Sequence, residues 1–349
     1  MIKLAIIFGG KSTEHDISLT SATSIINNLN KDKYNIYPIY IDKQGTFNQL
    51  TLSDKKEINL KEEITKLIPI PNIIKYLENI DIVFPILHGK YGEDGTIQGM
   101  LELIDKKYVG CKTLSSSLCM DKIYTKILVN SCGINTAKSI NIKKYKDTYI
   151  YLDNNFNKTL LDKKTLKELI KEELNYPIFI KPSNSGSSVG VYKIKKEEDL
   201  IPNLEKAFLY DNKVLIEEAI IGREVECAII GNEEPIASPI GEVLSASDFY
   251  SYDSKYNNKE SKTIIPATLD KNISNKIKDT AIKAYTACDC KGLSRVDFFI
   301  EKNTNRIILN EINTMPGFTE ISMYPKLIEQ LGYSYSDILD KLIDLAFKS

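Results

Sequence analysis

Residues 295–323 constrain this chain more than any other stretch. They open with Arg295-Val-Asp297-Phe-Phe-Ile, a polar segment from Glu301 to Arg306, then Ile-Ile-Leu-Asn310-Glu311-Ile-Asn313-Thr-Met-Pro-Gly317-Phe. Two β-branched and aromatic runs around a short Lys, Asn and Thr segment form a hairpin pattern. A turn centred near Thr304 sets Asp297 opposite Glu311 and Arg295 opposite Asn313. Side chains alternate along a strand, so Glu311 and Asn313 share one face. That face carries three oxygen donors and a guanidinium. Oxygen-only donors suit a hard cation, and so small a set suits Mg²⁺, which fills its remaining positions with phosphate oxygens and water. An exposed polar strand face has the same pattern, so both readings stay open on spacing alone.

At 349 residues the chain is too long for one ordinary core, and two or three domains are expected. Its net charge of −1 gives no sign of a nucleic-acid or acidic-membrane partner. The six cysteines (111, 119, 132, 227, 288 and 290) fit no zinc spacing, and only two histidines exist to help. Buried free thiols in a reducing cytosol are the plain expectation. The N-terminal apolar run is short and meets Gly9-Gly10, so it reads as a strand rather than a signal peptide. No apolar run reaches the ~18 residues of a membrane span. A soluble, cytoplasmic protein is expected.

Residues 1–115 read as an open α/β domain. Strands are expected at 3–8, 34–41 and 80–87, with a short one near 108–109, and helices at 18–29 and 99–104. Such alternation argues for a mostly parallel sheet with ligands near the strand carboxyl ends. Two loops lie there: Gly9-Gly10-Lys-Ser-Thr-Glu14-His-Asp, and His88-Gly-Lys-Tyr-Gly-Glu-Asp-Gly95. The first lacks G-x-G-x-x-G, and no acidic ribose clamp ends the second strand, which excludes a dinucleotide site. Glu14 could hold a cationic group or simply complement the helix dipole. His88 sits at a strand end among glycines, where a structural and a functional role are both open.

Residues 116–212 form the second expected unit. A helix starts at Ser117-Leu-Cys-Met-Asp-Lys122 and runs to about Cys132, and a polar Lys/Asn/Asp stretch covers 143–169. Residues 176–194 then read strand, small-residue loop, strand. A tip of Ser, Gly and Ser can fold over phosphates with backbone N–H groups and hydroxyls, and Lys181 would add a point charge. Lys122 is either a solvated helix lysine or a phosphate contact. The third unit, 213–349, opens with Val-Leu-Ile-Glu217-Glu218-Ala219-Ile220, then Gly222-Arg-Glu224. That strand end could form an adenine slot, with Glu224 at the ribose. Residues 245–262 lack a clear element pattern, as active-site lids often do. Amphipathic helices are expected at 273–287 and 336–347.

Taken together, these motifs resemble the D-alanine–D-alanine ligase family of the ATP-grasp superfamily over essentially the full chain. They are Phe-Gly-Gly-Lys-Ser-Thr-Glu14 with Ile-Ser-Leu, His88-Gly-Lys-Tyr-Gly-Glu-Asp-Gly-Thr-Ile-Gln-Gly, Met120-Asp-Lys122, Ile180-Lys181-Pro with Gly186-Ser-Ser-Val-Gly, Phe249-Tyr-x-Tyr-x-x-Lys255-Tyr256, Arg295-Val-Asp297, and Asn310-Glu311-Ile-Asn313-Thr-Met-Pro-Gly317-Phe-Thr. The resemblance implies a three-domain ATP-grasp fold: an N-terminal open parallel α/β domain, then two α+β domains that clasp ATP. It implies phosphorylation of one D-alanine carboxylate and attack on the acylphosphate by the amine of a second, feeding cell-wall peptidoglycan.

The same resemblance implies roles for individual residues. Glu14 holds the first ammonium, supported by Ser187 and Tyr256, with His88 near that substrate's carboxylate. Arg295 and the Gly317 N–H meet the oxyanion, while Lys255 and Ser322 hold the second carboxylate. Lys122, Lys181, Ser187 and Ser188 belong to the phosphate side. Glu217, Glu218, Ala219, Ile220, Glu224 and Asn310 belong to the nucleotide site. Asp297, Glu311 and Asn313 bind two Mg²⁺ ions, for which Mn²⁺ is an expected substitute. A homodimer is the usual family state. Ser251 stands where family lids often have Asp, and no role is assigned to it. The runner-up is a D-Ala–D-Ser ligase of the vancomycin-resistance type. Such enzymes often carry Arg where this chain has the apolar Met323, which together with Tyr256 favours D-alanine as second substrate. A non-catalytic nucleotide-binding module is the rival of another class, but it need not keep the metal carboxylates, Arg295 and Glu14 together.

Overall fold

The first strand is apolar on both faces, as a strand in the middle of a covered sheet must be. In the computed structural model, which describes residues 1–53, 55–65, 67–153, 155, 157–244 and 262–349, it is β1 (Ile2–Gly9). With β2 (Tyr34–Ile41), β3 (Phe47–Leu50), β4 (Leu67–Pro69) and β5 (Ile82–Pro85) it forms a sheet of order β4-β3-β2-β1-β5. β1 is parallel to β2 and to β5. The outer pairs, β2–β3 and β3–β4, are antiparallel and extend the parallel centre that the sequence predicts. The connection from β2 to β3 is too short for a crossover, so it can only give an antiparallel neighbour. Asp42 closes it by accepting from the Gln44 and Thr46 N–H groups. The strand expected near 108–109 is a single bridge from Tyr108 to Val83. Leu4, Ile6 and Phe8 pack toward helix His15–Asn28, and Ala5 and Ile7 toward Leu77, Ile97 and Leu101.

The second sheet holds β6 (Ser139–Tyr145), β7 (Thr148–Leu152), β8 (Lys158–Leu161), β9 (Ile178–Pro182), β10 (Tyr192–Ile194) and β11 (Lys213–Glu218), in the order β10-β9-β11-β6-β7-β8. All its pairings are antiparallel. The polar stretch 143–169, in which no element is placed from the sequence, contains β7, β8 and the start of helix Lys163–Glu173. Its Lys and Asn residues mask the alternation Thr148-Tyr-Ile-Tyr-Leu. The expected helix from Ser117 to Cys132 is two helices, Thr113–Met120 and Lys122–Ser131. Asp121 between them is extended, and its carboxylate accepts from the Ile123 and Tyr124 N–H groups, which starts the second helix.

The third sheet, β15-β14-β12-β16-β17 with β13 on β12, comprises β12 (Gly222–Gly231), β13 (Ile236–Ala237), β14 (Gly241–Leu244), β15 (Lys262–Ile264), β16 (Gly292–Glu301) and β17 (Ile307–Asn313). One face, with Val225, Cys227, Ile229, Val296, Phe298 and Ile300, packs on helix Lys271–Ala287. The terminal helices Met323–Glu329 and Tyr335–Phe347 share a core with the first sheet. Five of the six cysteines are buried, and all six are free thiols. Among the described residues no helix is long and apolar enough to cross a membrane.

Candidate active site

The register of the β16–β17 hairpin is the one expected: Asp297 opposite Glu311 and Arg295 opposite Asn313. Beyond Asp297 it shifts by one, with Phe298 opposite Leu309, so Asn310 is the extra residue of a β-bulge. The bulge leaves both Asn310 and Glu311 half-buried, and both line the same cleft. β12 contributes the other half of the face. Glu226 pairs with Asp297, and Glu224 lies two residues away on the same side. One sheet face therefore carries Glu224, Glu226, Arg295, Asp297, Glu311 and Asn313.

Arg295 grips Asp297 with two parallel hydrogen bonds, Nε to Oδ1 and Nη2 to Oδ2, both 2.7 Å. Its Nε also lies 3.0 Å from Glu226 Oε2. Burial alone would lower the guanidinium pKa, but Asp297 and Glu226 more than offset it and raise the pKa well above its ordinary value. Asn313 Nδ2 donates to Asp297 Oδ2 at 3.0 Å. Among the described residues no group of three or more His, Cys, Asp and Glu side chains is gathered as metal ligands. The set here is two carboxylates and one carboxamide. Asp297 Oδ1 keeps a lone pair beyond the bonds from Arg295 and Asn313, and all three side chains offer hard oxygen donors. This chemistry fits a divalent cation that takes its remaining ligands from phosphate and water.

This face closes a cavity of about 140 Å³ lined also by Glu14, His88, Ser187, Gly317, Ser322 and Met323. Glu14, at the N-cap of helix His15–Asn28, is 6% exposed. Ser187 Oγ donates to its Oε1, so a loop of the second sheet touches a loop of the first. A Cβ on Gly186 would stand 2.8 Å from Glu14 Oε2, so a side chain there would push the Glu14 carboxylate from its place. Ser187 and Ser188 both adopt left-handed φ values, +48° and +58°, a costly conformation that turns this tip. Ser322 Oγ contacts Thr319 Oγ1 at 2.7 Å and accepts from the Thr319 N–H at 3.0 Å. A Cβ on Gly241 would overlap the Met323 Sδ-methyl, so Gly241 makes room for that side chain.

His88 lines this cavity with both ring nitrogens engaged. Its Nδ1 is 3.1 Å from the Met315 carbonyl and its Nε2 3.0 Å from Ser21 Oγ. A carbonyl only accepts, so Nδ1 carries the proton. Burial lowers its pKa to about 4, and the ring is neutral. With both nitrogens engaged, His88 ties the first sheet to the 315–318 loop at the cavity wall.

A second cleft, about 510 Å³, adjoins the cavity: Lys122, Ser185, Ser187 and Glu311 line both. It is also lined by Lys181, Ser188, Glu217, Glu218, Ala219, Ile220, Glu224 and Asn310. Lys122 Nζ donates to the Ser185 carbonyl at 2.6 Å and stands 3.8 Å from Glu311 Oε2. Glu217 lines this cleft with its carboxylate committed to two lysines. Lys126 Nζ binds Oε2 at 2.6 Å and Lys181 binds Oε1. Burial works to raise the Glu217 pKa, but the two lysines outweigh it and bring it to about 2. Glu217 can face a nucleotide with its backbone, while its side chain holds the lysines. Lys181 Nζ also reaches Asn310 Oδ1 at 3.4 Å.

Three residues went unread in the sequence. Lys126 was legible as the i+4 neighbour of Lys122 on one helix face. Glu226 was legible as the alternate neighbour of Glu224. Glu93 accepts from the Gly89 and Met315 N–H groups, and burial followed by the charge of Glu14 raises its pKa. Its sequence signal was only its place in the glycine loop. The expected roles of Lys255 and Tyr256, and the open question of Ser251, lie outside the described residues, as does all of the expected lid 245–262 except Lys262.

Comparison with known proteins agrees with this architecture. Residues 3–111 match the family model described as D-ala D-ala ligase N-terminus, and 135–344 the one described as D-ala D-ala ligase C-terminus. The chain is 46% identical to a D-alanine–D-alanine ligase B of Clostridium tetani, over 100% of this chain and 94% of that one. It is 46% identical to a D-alanine–D-alanine ligase of Clostridium acetobutylicum, over 99% and 97%. Among solved structures, the VanG D-Ala:D-Ser ligase of Enterococcus faecalis superposes with a TM-score of 0.85 at 38% identity, covering 99% of both chains. The D-alanine–D-alanine ligase of Coxiella burnetii gives 0.84 at 32% identity, over 99% and 94%. The chain has the three-domain ATP-grasp fold and belongs to the D-alanine–D-alanine ligase family.

Proposed function

We propose that this protein joins two D-alanines at the expense of ATP, giving D-alanyl-D-alanine, ADP and phosphate for peptidoglycan synthesis. The observation that carries the reading is the adjacency of the two cavities. A lysine-lined cleft suited to a nucleotide opens beside a smaller one holding Glu14, Arg295 and Ser322, with Lys122 and Glu311 on the shared wall.

In this reading the adenine lies along the 217–220 backbone, Glu218 included, with Glu224 at the ribose. Lys122, Lys181 and Ser188 draw the phosphates toward the smaller cavity. Asp297, Glu311 and Asn313 would hold two divalent cations, Mg²⁺ with Mn²⁺ as substitute, which would neutralise phosphate charge there. Glu14, steadied by Ser187 and Tyr256, binds the ammonium of the first D-alanine through a charge-assisted bond. A carboxylate oxygen of that substrate attacks the γ-phosphorus of ATP, ADP leaves, and D-alanyl phosphate forms. Lys255 and Ser322 hold the carboxylate of the second D-alanine. Its amine, having lost a proton, attacks the acyl carbon. Arg295 and the Gly317 N–H face the oxyanion, and its collapse expels phosphate and leaves the peptide bond.

Relatives named as D-alanine–D-alanine ligases and the apolar, 7%-exposed Met323 in the cavity wall support D-alanine as second substrate. The similarity to a D-Ala:D-Ser ligase keeps D-serine as the second reading. The test is phosphate release from Mg-ATP with D-alanine, repeated at low D-alanine with excess D-serine or D-lactate, with dipeptides identified by mass. D-Ala–D-Ala should dominate under competition. D-Ala–D-Ser dominating would overturn the second-substrate assignment. No amino-acid-dependent phosphate release, with Mg-ATP still bound, would overturn the reaction itself.

A further inference from the structure

Glu226 stands where neither its motif nor the reaction gives it a task. It is 4% exposed, lies directly across from Asp297 in the β12–β16 register, and lines the substrate cavity. Its Oε2 is 3.0 Å from Arg295 Nε, the nitrogen that donates to Asp297 Oδ1 at 2.7 Å. One edge of a guanidinium is thus shared by two buried carboxylates. The two differ in what else they face. Asp297 also lies opposite Glu311 and accepts from Asn313, inside the oxygen donor set. Glu226 meets the same guanidinium from the neighbouring strand β12 and is not one of those three donors.

A divalent cation approaching Asp297 meets a carboxylate already occupied by Arg295. Two cations on one carboxylate repel, so one must yield or find a second counter-charge. We propose that Glu226 is a positioning residue that retains the Arg295 guanidinium in the substrate cavity when Asp297 turns to the divalent cation entering with the nucleotide. Metal and guanidinium then share the site without competing for one anion. This inference rests on the ligase reading for its catalytic consequence, but its binding consequence stands apart from it.

The test uses Glu226→Gln, which keeps the shape and removes the charge, and Glu226→Asp, which keeps the charge. ADP binding is measured by calorimetry with Mg²⁺ and with EDTA, and kcat and the KM for D-alanine are measured alongside. Changes in groups that orient metal-site side chains typically cost about 10- to 100-fold. Glu226→Gln should weaken Mg²⁺-dependent ADP binding and lower kcat by about that factor. Metal-free ADP binding and the KM of the first D-alanine should stay near wild type, and Glu226→Asp should recover part of the loss. Wild-type Mg²⁺ dependence and kcat in Glu226→Gln would overturn the proposal. So would an equal loss of metal-free ADP binding, which marks a structural role. An inactive wild type would sink the ligase reading alone, because the Mg-ADP comparison still decides the role of Glu226.

Discussion

Two buried ion clusters, one beside each cleft, are built with opposite stoichiometry. In the nucleotide cleft one carboxylate, Glu217, serves two ammonium groups, Lys126 and Lys181. In the substrate cavity one guanidinium, Arg295, serves two carboxylates, Glu226 and Asp297. The first keeps one positive charge in excess and the second one negative. Buried ion pairs of this kind seldom add net stability, because desolvation consumes most of the attraction. Their worth here is preorganisation. Excess positive charge waits where phosphates would lie, and excess negative charge waits where a divalent cation would lie. Burial weakens the charged form of Lys126, with Glu217 opposing it, whereas Glu217 itself is held ionised down to about pH 2.

Breaking the acidic cluster should have the larger effect. Arg295→Ala removes the donor proposed to face the oxyanion, and losing such a donor costs about 10²–10³ in turnover. Steady-state assays should find that fall in kcat, and a kcat near wild type would remove Arg295 from the chemistry. Breaking the basic cluster should act on binding instead. Lys181→Met leaves Glu217 with Lys126, so the fold should survive. One hydrogen bond to a charged group corresponds to about 10- to 100-fold, which should appear as a raised KM for ATP. A kcat effect without a KM effect would erase the division of labour between the clusters.

The smallest effect sharpens the comparison from outside both clusters, at the buried neutral His88. Its pKa falls from 6.5 to about 4 on folding, because burial disfavours the charged ring. The unfolded chain therefore binds the extra proton first as pH drops. The stability His88 contributes is complete above about pH 6.5 and is lost as pH falls toward about 4. Between about pH 7 and about pH 5 the wild-type melting temperature should drop further than that of His88→Gln. Parallel curves would show that the ring titrates normally.

Much of the site was legible because it lies on strands and in glycine loops. Two-residue alternation placed Glu311 and Asn313 on one face, and the turn near Thr304 set their partners across the hairpin. The Asn310 bulge was not legible, because a bulge answers to packing on the rest of the sheet rather than to local pattern. The break at Asp121 was hidden by helix-compatible residues on both sides. It is fixed by tertiary partners, since Ser183, Asn184 and Lys213 all reach the Asp121 carboxylate. Glu217 and His88 carried the right residue types at the right places, but which of their atoms remained available depended on Lys126, Lys181, Ser21 and Met315. Such partner assignment is long-range and leaves no trace in spacing.

The central claim is that the paired clusters bring an ATP phosphate to a D-alanine carboxylate. The most direct measurement follows oxygen. D-alanine labelled with ¹⁸O in its carboxylate is turned over with Mg-ATP, and the released phosphate is weighed by mass spectrometry. Attack of the amine on an acyl phosphate carries one carboxylate oxygen away with each phosphate, so each phosphate formed should bear one ¹⁸O. Phosphate released with dipeptide but without label would contradict the account, because ATP would then have been cleaved without activating that carboxylate.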